Sequence, residues 1–141
     1  MTREEITDLV TRCRIALANH DTKALVAAHA EGCTIESPTA GGVATGRAAV
    51  AKVYDAWFNG FPDLKVAAGD LLIDGNHAAH CMVLSGTDTG GFLGMPATGK
   101  PFRVPLVWVI EADNGLVTHA RPFYDFSGLL IQIGVLKVKS V

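Results

Sequence analysis

The hydrophobic period of this chain changes once, at Pro62, and that change restricts the fold to a layer of helices followed by a sheet. Upstream, apolar residues recur at Ile6, Leu9, Val10, Cys13, Ile15 and Leu17, the spacing of one helix face. Thr2 with Glu5 three residues later is a capping box at its start, and the helix ends near Asn19. Asp21 or Thr22 opens a shorter helix with Leu25, Val26 and Ala28 on its buried side, and Gly32 is expected to stop it. Cys33 to Ser37 alternates briefly before Pro38, and Thr39 to Gly46 reads as a glycine-rich loop without phosphate-loop spacing. From Arg47 a third helix runs to Gly60, carrying Tyr54, Trp57 and Phe58 on adjacent turns.

Downstream the period is two. Leu64 to Leu72, His77 to Gly86, Phe102 to Glu111 and Leu116 to Asp125 read as strands, with turns at Asp74-Gly75-Asn76 and Asp113-Asn114-Gly115. Ser127 to Leu136 closes the pattern with a last helical turn anchored by Leu129, Leu130 and Ile133. Three helices followed by an antiparallel meander predict an α+β fold, helices packed on one face of a strongly curved sheet with an apolar cavity inside the resulting cone. The length, 141 residues, fits one domain spanning 1–141.

Hydrophobic residues make up 49% of the chain and charged ones 18%, so apolar surface is left over for a cavity lining or a subunit interface. A homodimer or higher homo-oligomer is the expectation. The net charge is −2 with no basic run, which argues against nucleic acid and anionic membrane as partners. Met-Thr-Arg-Glu-Glu-Ile lacks the apolar core of a signal peptide, and no apolar run reaches membrane-spanning length, so a cytoplasmic location is expected. Cys13, Cys33 and Cys81 are widely spaced and form no C-x-x-C pair, and the five histidines show no metal-ligand spacing. No metal and no cofactor is expected.

Candidate chemistry concentrates in Val117 to Asp125. Strand alternation places Val117, His119, Arg121, Phe123 and Asp125 on one face, aligning a base candidate, a cation and an acid. His119 and Asp125 are six residues apart, about 20 Å along a strand, so they cannot touch and a substrate would have to span them. Asp125 has two readings, a carboxyl raised in pKa by surrounding aromatics or the cap of the helical turn that starts at Phe126. His80, Met82 and Trp108 from the strands, Tyr54, Trp57 and Phe58 from the third helix, and Phe92 from the loop Thr87 to Gly99 are expected around the pocket, with Phe123. That loop is expected to border its mouth.

Three segments carry a resemblance. Phe61-Pro62-Asp63-Leu64-Lys65-Val66, the glycine-rich run from Gly86 to Lys100 ending Met-Pro-Ala-Thr-Gly-Lys, and Asp125-Phe-Ser-Gly-Leu-Leu-Ile-Gln-Ile-Gly134 resemble, in order, the SnoaL-like polyketide cyclases of the NTF2-like superfamily. The resemblance implies a cone-shaped fold, a dimeric or larger assembly, and aldol-type ring closure on an apolar carbonyl compound by acid–base catalysis without metal or cofactor. It also implies lyase- or isomerase-type alternatives, among them dehydration and epoxide opening, and non-catalytic binding of a hydrophobic ligand, since one fold hosts many chemistries. Related sequences often read Glu-His-Trp-Asp where this chain has His119-Ala120-Arg121-Pro122, and a polar residue where it has the apolar Pro105-Leu106-Val107-Trp108. Thr34-Ile35-Glu36-Ser37-Pro38 is similar to the ketosteroid isomerases, with Ser37 in place of their aspartate base. The expected site is therefore Asp125 with His119 and Arg121, acting on a small apolar molecule.

Overall fold

The structure, a computed structural model, describes residues 1–139. Helix α1 (Arg3–Ala18) starts where Thr2 Oγ1 accepts from Glu5 N at 3.1 Å. It buries Ile6, Leu9, Val10, Cys13 and Leu17, each aliphatic side chain among them stabilising the fold by roughly 1.5–3 kcal/mol. Helix α2 (Thr22–Ala27) is capped by Asp21, whose Oδ1 accepts from Ala24 N at 3.0 Å. Between them His20 donates from Nε2 to Leu64 O at 2.9 Å and stacks on Phe58, tying the helical hairpin to the start of the sheet.

Strand β1 (His29–Ser37) begins four residues before the expected Cys33 and runs straight through Gly32, so α2 ends on its own at Ala27 and the glycine is a strand residue. A 3-10 turn at Pro38–Ala40 leads into β2 (Gly42–Thr45), a short strand inside the stretch that reads as loop. It pairs antiparallel with β1, an interaction local residue patterns do not announce. Helix α3 (Arg47–Gly60) follows, then β3 (Lys65–Asp74), β4 (His77–Thr87), β5 (Pro101–Asp113), β6 (Leu116–Tyr124) and helix α4 (Phe126–Gln132). The β5–β6 turn uses Asn114 and Gly115, both with positive φ, the geometry that matches strand twist.

The sheet has six strands in the order β2-β1-β6-β5-β4-β3. Strands β3 to β6 form the antiparallel meander, but β1 lies parallel to β6. Helices α1 and α3 pack on the inner face, where β5 presents Phe102, Val104, Leu106, Trp108, Ile110 and Ala112 in strict alternation. Three irregularities break the ladders, one of them in β1 between His29 and Thr34 where it pairs with β6. In β3, Gly69 and Asp70 together oppose Cys81, and in β6 Thr118 is an extra residue opposite Glu111.

Candidate active site

The inner sheet face and α3 enclose an apolar cavity. Leu84, Leu106, Trp108 and Pro122 form its floor, Val53, Tyr54 and Trp57 its roof, and Leu17 its end wall. Its volume open to water is about 20 Å3, room for one water molecule. The aromatic rings meet edge to face, Tyr54 on Trp108 at 6.0 Å and Trp57 on Tyr124 at 5.3 Å, so each wall fixes the next. A larger groove of about 820 Å3 lies on the solvent side of α3, lined by small residues with Lys52, Asp55 and Asn59, and is open to water.

Three hydrogen-bonding groups are buried here without a partner: the Tyr54 hydroxyl, Trp108 Nε1 and the Tyr124 hydroxyl. An unsatisfied buried donor costs about 1–3 kcal/mol, so polar groups placed in an apolar wall call for a partner within the cavity. Burial pushes the Tyr54 phenol far above its ordinary pKa, and the nearby Trp108 N–H only partly offsets this. Burial raises Tyr124 in the same way, against a smaller downward pull from Ser37. Both phenols therefore stay protonated and donate; with the indole N–H they suit an oxygen that carries or develops negative charge. Among the described residues, no three His, Cys, Asp or Glu side chains converge on a point that could hold a metal.

Of the residues the sequence singles out, Tyr54, Trp57 and Trp108 line the cavity. His80 and Met82 are buried on the inner face beside it, His80 directly across from Trp108. Phe58 turns toward His20, and Phe92 packs on Trp57 and Phe61 from the side away from the lining. Phe92 is held by the buried Asp88 carboxylate, which accepts from Gly91 N, Phe92 N and Thr98 N and folds the loop inward.

The aligned trio is not in the cavity. The Thr118 bulge turns His119, Arg121 and Phe123 onto the outer sheet face, opposite Glu111, Val109 and Val107, while Val117 stays inside. His119 Nδ1 bonds Thr34 Oγ1 there, Arg121 lies over the Phe123 ring, and Phe123 is 51% exposed. Asp125 is exposed, and its Oδ1 accepts from Gly128 N at 2.9 Å as the cap of α4. Val117, Ala120, Pro122 and Tyr124 of β6 face inward, and of these Pro122 lines the cavity. Sequence reading missed Tyr124, Pro122 and Ser37 as inner-face groups; the alternation Ala120, Pro122, Tyr124 was the available signal, masked by the bulge.

Comparison with known proteins agrees with this architecture. TsrD from Streptomyces laurentii superposes with a TM-score of 0.83 at 26% identity, covering 96% of this chain and 99% of that one. A protein provisionally designated a SnoaL-like polyketide cyclase, from Jannaschia sp. CCS1, superposes with a TM-score of 0.83 at 21% identity, covering 95% and 94%. A Catenulispora acidiphila protein with a ketosteroid isomerase-like fold, solved with trimethylamine, gives a TM-score of 0.76 at 21% identity over 91% and 93%. A sequence search of curated proteins found no match. These likenesses establish the cone-shaped NTF2-like α+β fold. The sequence model of the SnoaL-like polyketide cyclases matches residues 7–133, and the chain belongs to that family.

Proposed function

We propose that this protein takes a small, largely apolar carbonyl compound into the cavity between α3 and the inner sheet face and promotes proton transfer beside the carbonyl, the chemistry of a polyketide-type aldol cyclisation. The observation that carries the reading is the pair of unpartnered donors, the Tyr54 hydroxyl and Trp108 Nε1, buried in an otherwise apolar wall. The Tyr54 hydroxyl hydrogen, with the Trp108 N–H close beside the Tyr54 oxygen, matches a carbonyl oxygen as it becomes an enolate or alkoxide. A ligand larger than water requires the aromatic wall to move. Isomerisation, dehydration and epoxide opening use the same elements.

The test is Tyr54→Phe, with ligands identified by mass spectrometry of material that copurifies with the protein. Loss of a hydroxylated or ketonic ligand, with unchanged or higher thermal stability, supports the reading. Retention of the ligand at full occupancy removes Tyr54 from recognition. The second reading is non-catalytic binding, favoured by Pro122 at a cavity position where a carboxylate would serve as acid or base.

We also propose that two copies pack through their outer sheet faces. Val43, Leu72 and Phe123 are exposed there by 60%, 62% and 51%, around Val107, Val109, Cys81 and Val83.

A further inference from the structure

Leu71, His80, Trp108 and Pro122 stand opposite one another in successive strands, forming one row across the inner face from β3 to β6. Trp108 and Pro122 line the cavity, and adjacent strands are about 4.8 Å apart, which puts His80 one strand spacing from the lining. His80 is 4% exposed and is the one imidazole in this row.

Its ring is set by a dedicated irregularity. The β3 bulge places Gly69 and Asp70 against Cys81, and His80 Nδ1 donates to Asp70 O at 3.2 Å. A carbonyl oxygen only accepts, so Nδ1 carries the proton and a neutral ring has its lone pair on Nε2. No group among the described residues hydrogen-bonds Nε2. Gly69 is needed for the bulge: a Cβ there would lie 2.9 Å from Cys81 O. Bulges commonly re-aim side chains beside reactive sites, and this one fixes an imidazole tautomer.

We propose that His80 is the proton acceptor of the cavity, with Asp70 O and Gly69 as its positioning elements; the proposal rests on the cavity reading above. Nε2 takes a proton from the carbon beside the substrate carbonyl. The C–H electron pair moves into the carbon–carbon bond, and the carbonyl π pair moves onto oxygen, giving an enolate held by Tyr54 and Trp108. The imidazolium then returns the proton to the oxygen or carbon of the product, so no co-reactant is consumed.

The probe is 2-tetralone, a compact apolar ketone. Binding is followed by tryptophan fluorescence, and exchange of its C1 protons for deuterium is followed by NMR in D2O. Wild type is expected to bind and to accelerate exchange. His80→Gln is expected to bind within twofold but to exchange about 100-fold more slowly or worse, the usual scale of a lost general base. Gly69→Ala is expected to slow exchange while retaining binding. Wild-type exchange rates in His80→Gln, or binding by wild type with no acceleration, overturn the assignment of His80 and leave the cavity reading standing. Failure of wild type to bind overturns the cavity reading and the proposal with it. Should His80→Gln not fold, the imidazole nitrogen shifts of wild type decide: a proton on Nε2 in place of Nδ1 overturns the proposal.

Discussion

The cap of α4 decides what Asp125 is for, and a double-mutant cycle with Gly128 measures it. Asp125 Oδ1 accepts from Gly128 N at 2.9 Å, and a Cβ on Gly128 would lie 2.1 Å from Asp125 Oδ2. Gly128→Ala must therefore push the carboxylate off its cap. Asp125→Ala is expected to cost about 1 kcal/mol, the usual worth of an N-cap. Gly128→Ala gains up to about 1 kcal/mol of helix propensity but loses the same cap, so alone it should be nearly neutral. In the Asp125→Ala background no cap is left to lose, and the full gain should appear. For 141 residues the unfolding entropy makes 1 kcal/mol worth about 3 °C in Tm. The coupling is thus about 1 kcal/mol, readable by calorimetry or urea unfolding. Asp125→Asn, an equally good cap, should leave both stability and turnover unchanged. Equal stabilisation by Gly128→Ala in both backgrounds would refute the cap, and loss of turnover in a fully stable Asp125→Asn would return Asp125 to the chemistry.

Burial holds His29 below its ordinary pKa of 6.5, more than the hydrogen bond from its Nδ1 to Leu25 O raises it, and its Nε2 is buried without a partner. The unfolded chain therefore binds the proton more readily than the folded one, so stability should be constant above about pH 7 and fall as pH drops below 6.5. Urea midpoints of wild type and His29→Gln at pH 7.5 and 5.5 check this, the variant showing the shallower drop. Gly60→Ala would bring a Cβ within 2.8 Å of Phe92 Cα, backbone that cannot rotate away, and is expected to destabilise by about 1–3 kcal/mol by thermal unfolding. Tyr54→Phe removes an unpartnered hydroxyl and should raise Tm while weakening ligand binding, a trade seen by running both assays on one sample. Phe123→Glu places charge on the outer face and should yield monomers in sedimentation velocity without loss of fold.

The helices and the meander were legible because local signals agree with the fold: Thr2 with Glu5, Asp21, and Asn114-Gly115 each act where they stand. The parallel contact of β1 with β6 was not, since it joins residues such as Thr34 and His119 that no local pattern links. The facing of the candidate side chains differs from strict alternation through one residue. From the turn pairs Asp113–Leu116 and Ala112–Val117, a regular ladder would set His119 opposite Ile110, on the inner face. The extra Thr118 sets Ala120 there, and every side chain from His119 to Phe123 changes sides. Nothing in Leu116-Val117-Thr118-His119 marks the bulge, because its cause lies in strand twist and packing. Tyr54, Trp57 and Trp108 were legible as pocket walls because large aromatics at core positions have few other places to go.

The parallel seat of β1 against β6 also sets the order in which this chain can assemble. Thr34 and His119 are 85 residues apart, so the N-terminal strand waits for nearly the whole chain before its inner edge is paired. Until Leu116–Tyr124 has been made, Cys33 and Ile35 have no sheet neighbour on that side, and β1 with β2 is a two-stranded ribbon too small to hold by itself. The β3–β4 and β5–β6 hairpins, each closed by a two-residue turn, make the most local contacts of the sheet, and topology favours forming them before the first hairpin docks on β6. Synthesis thus supplies the first third of the protein early but uses it last.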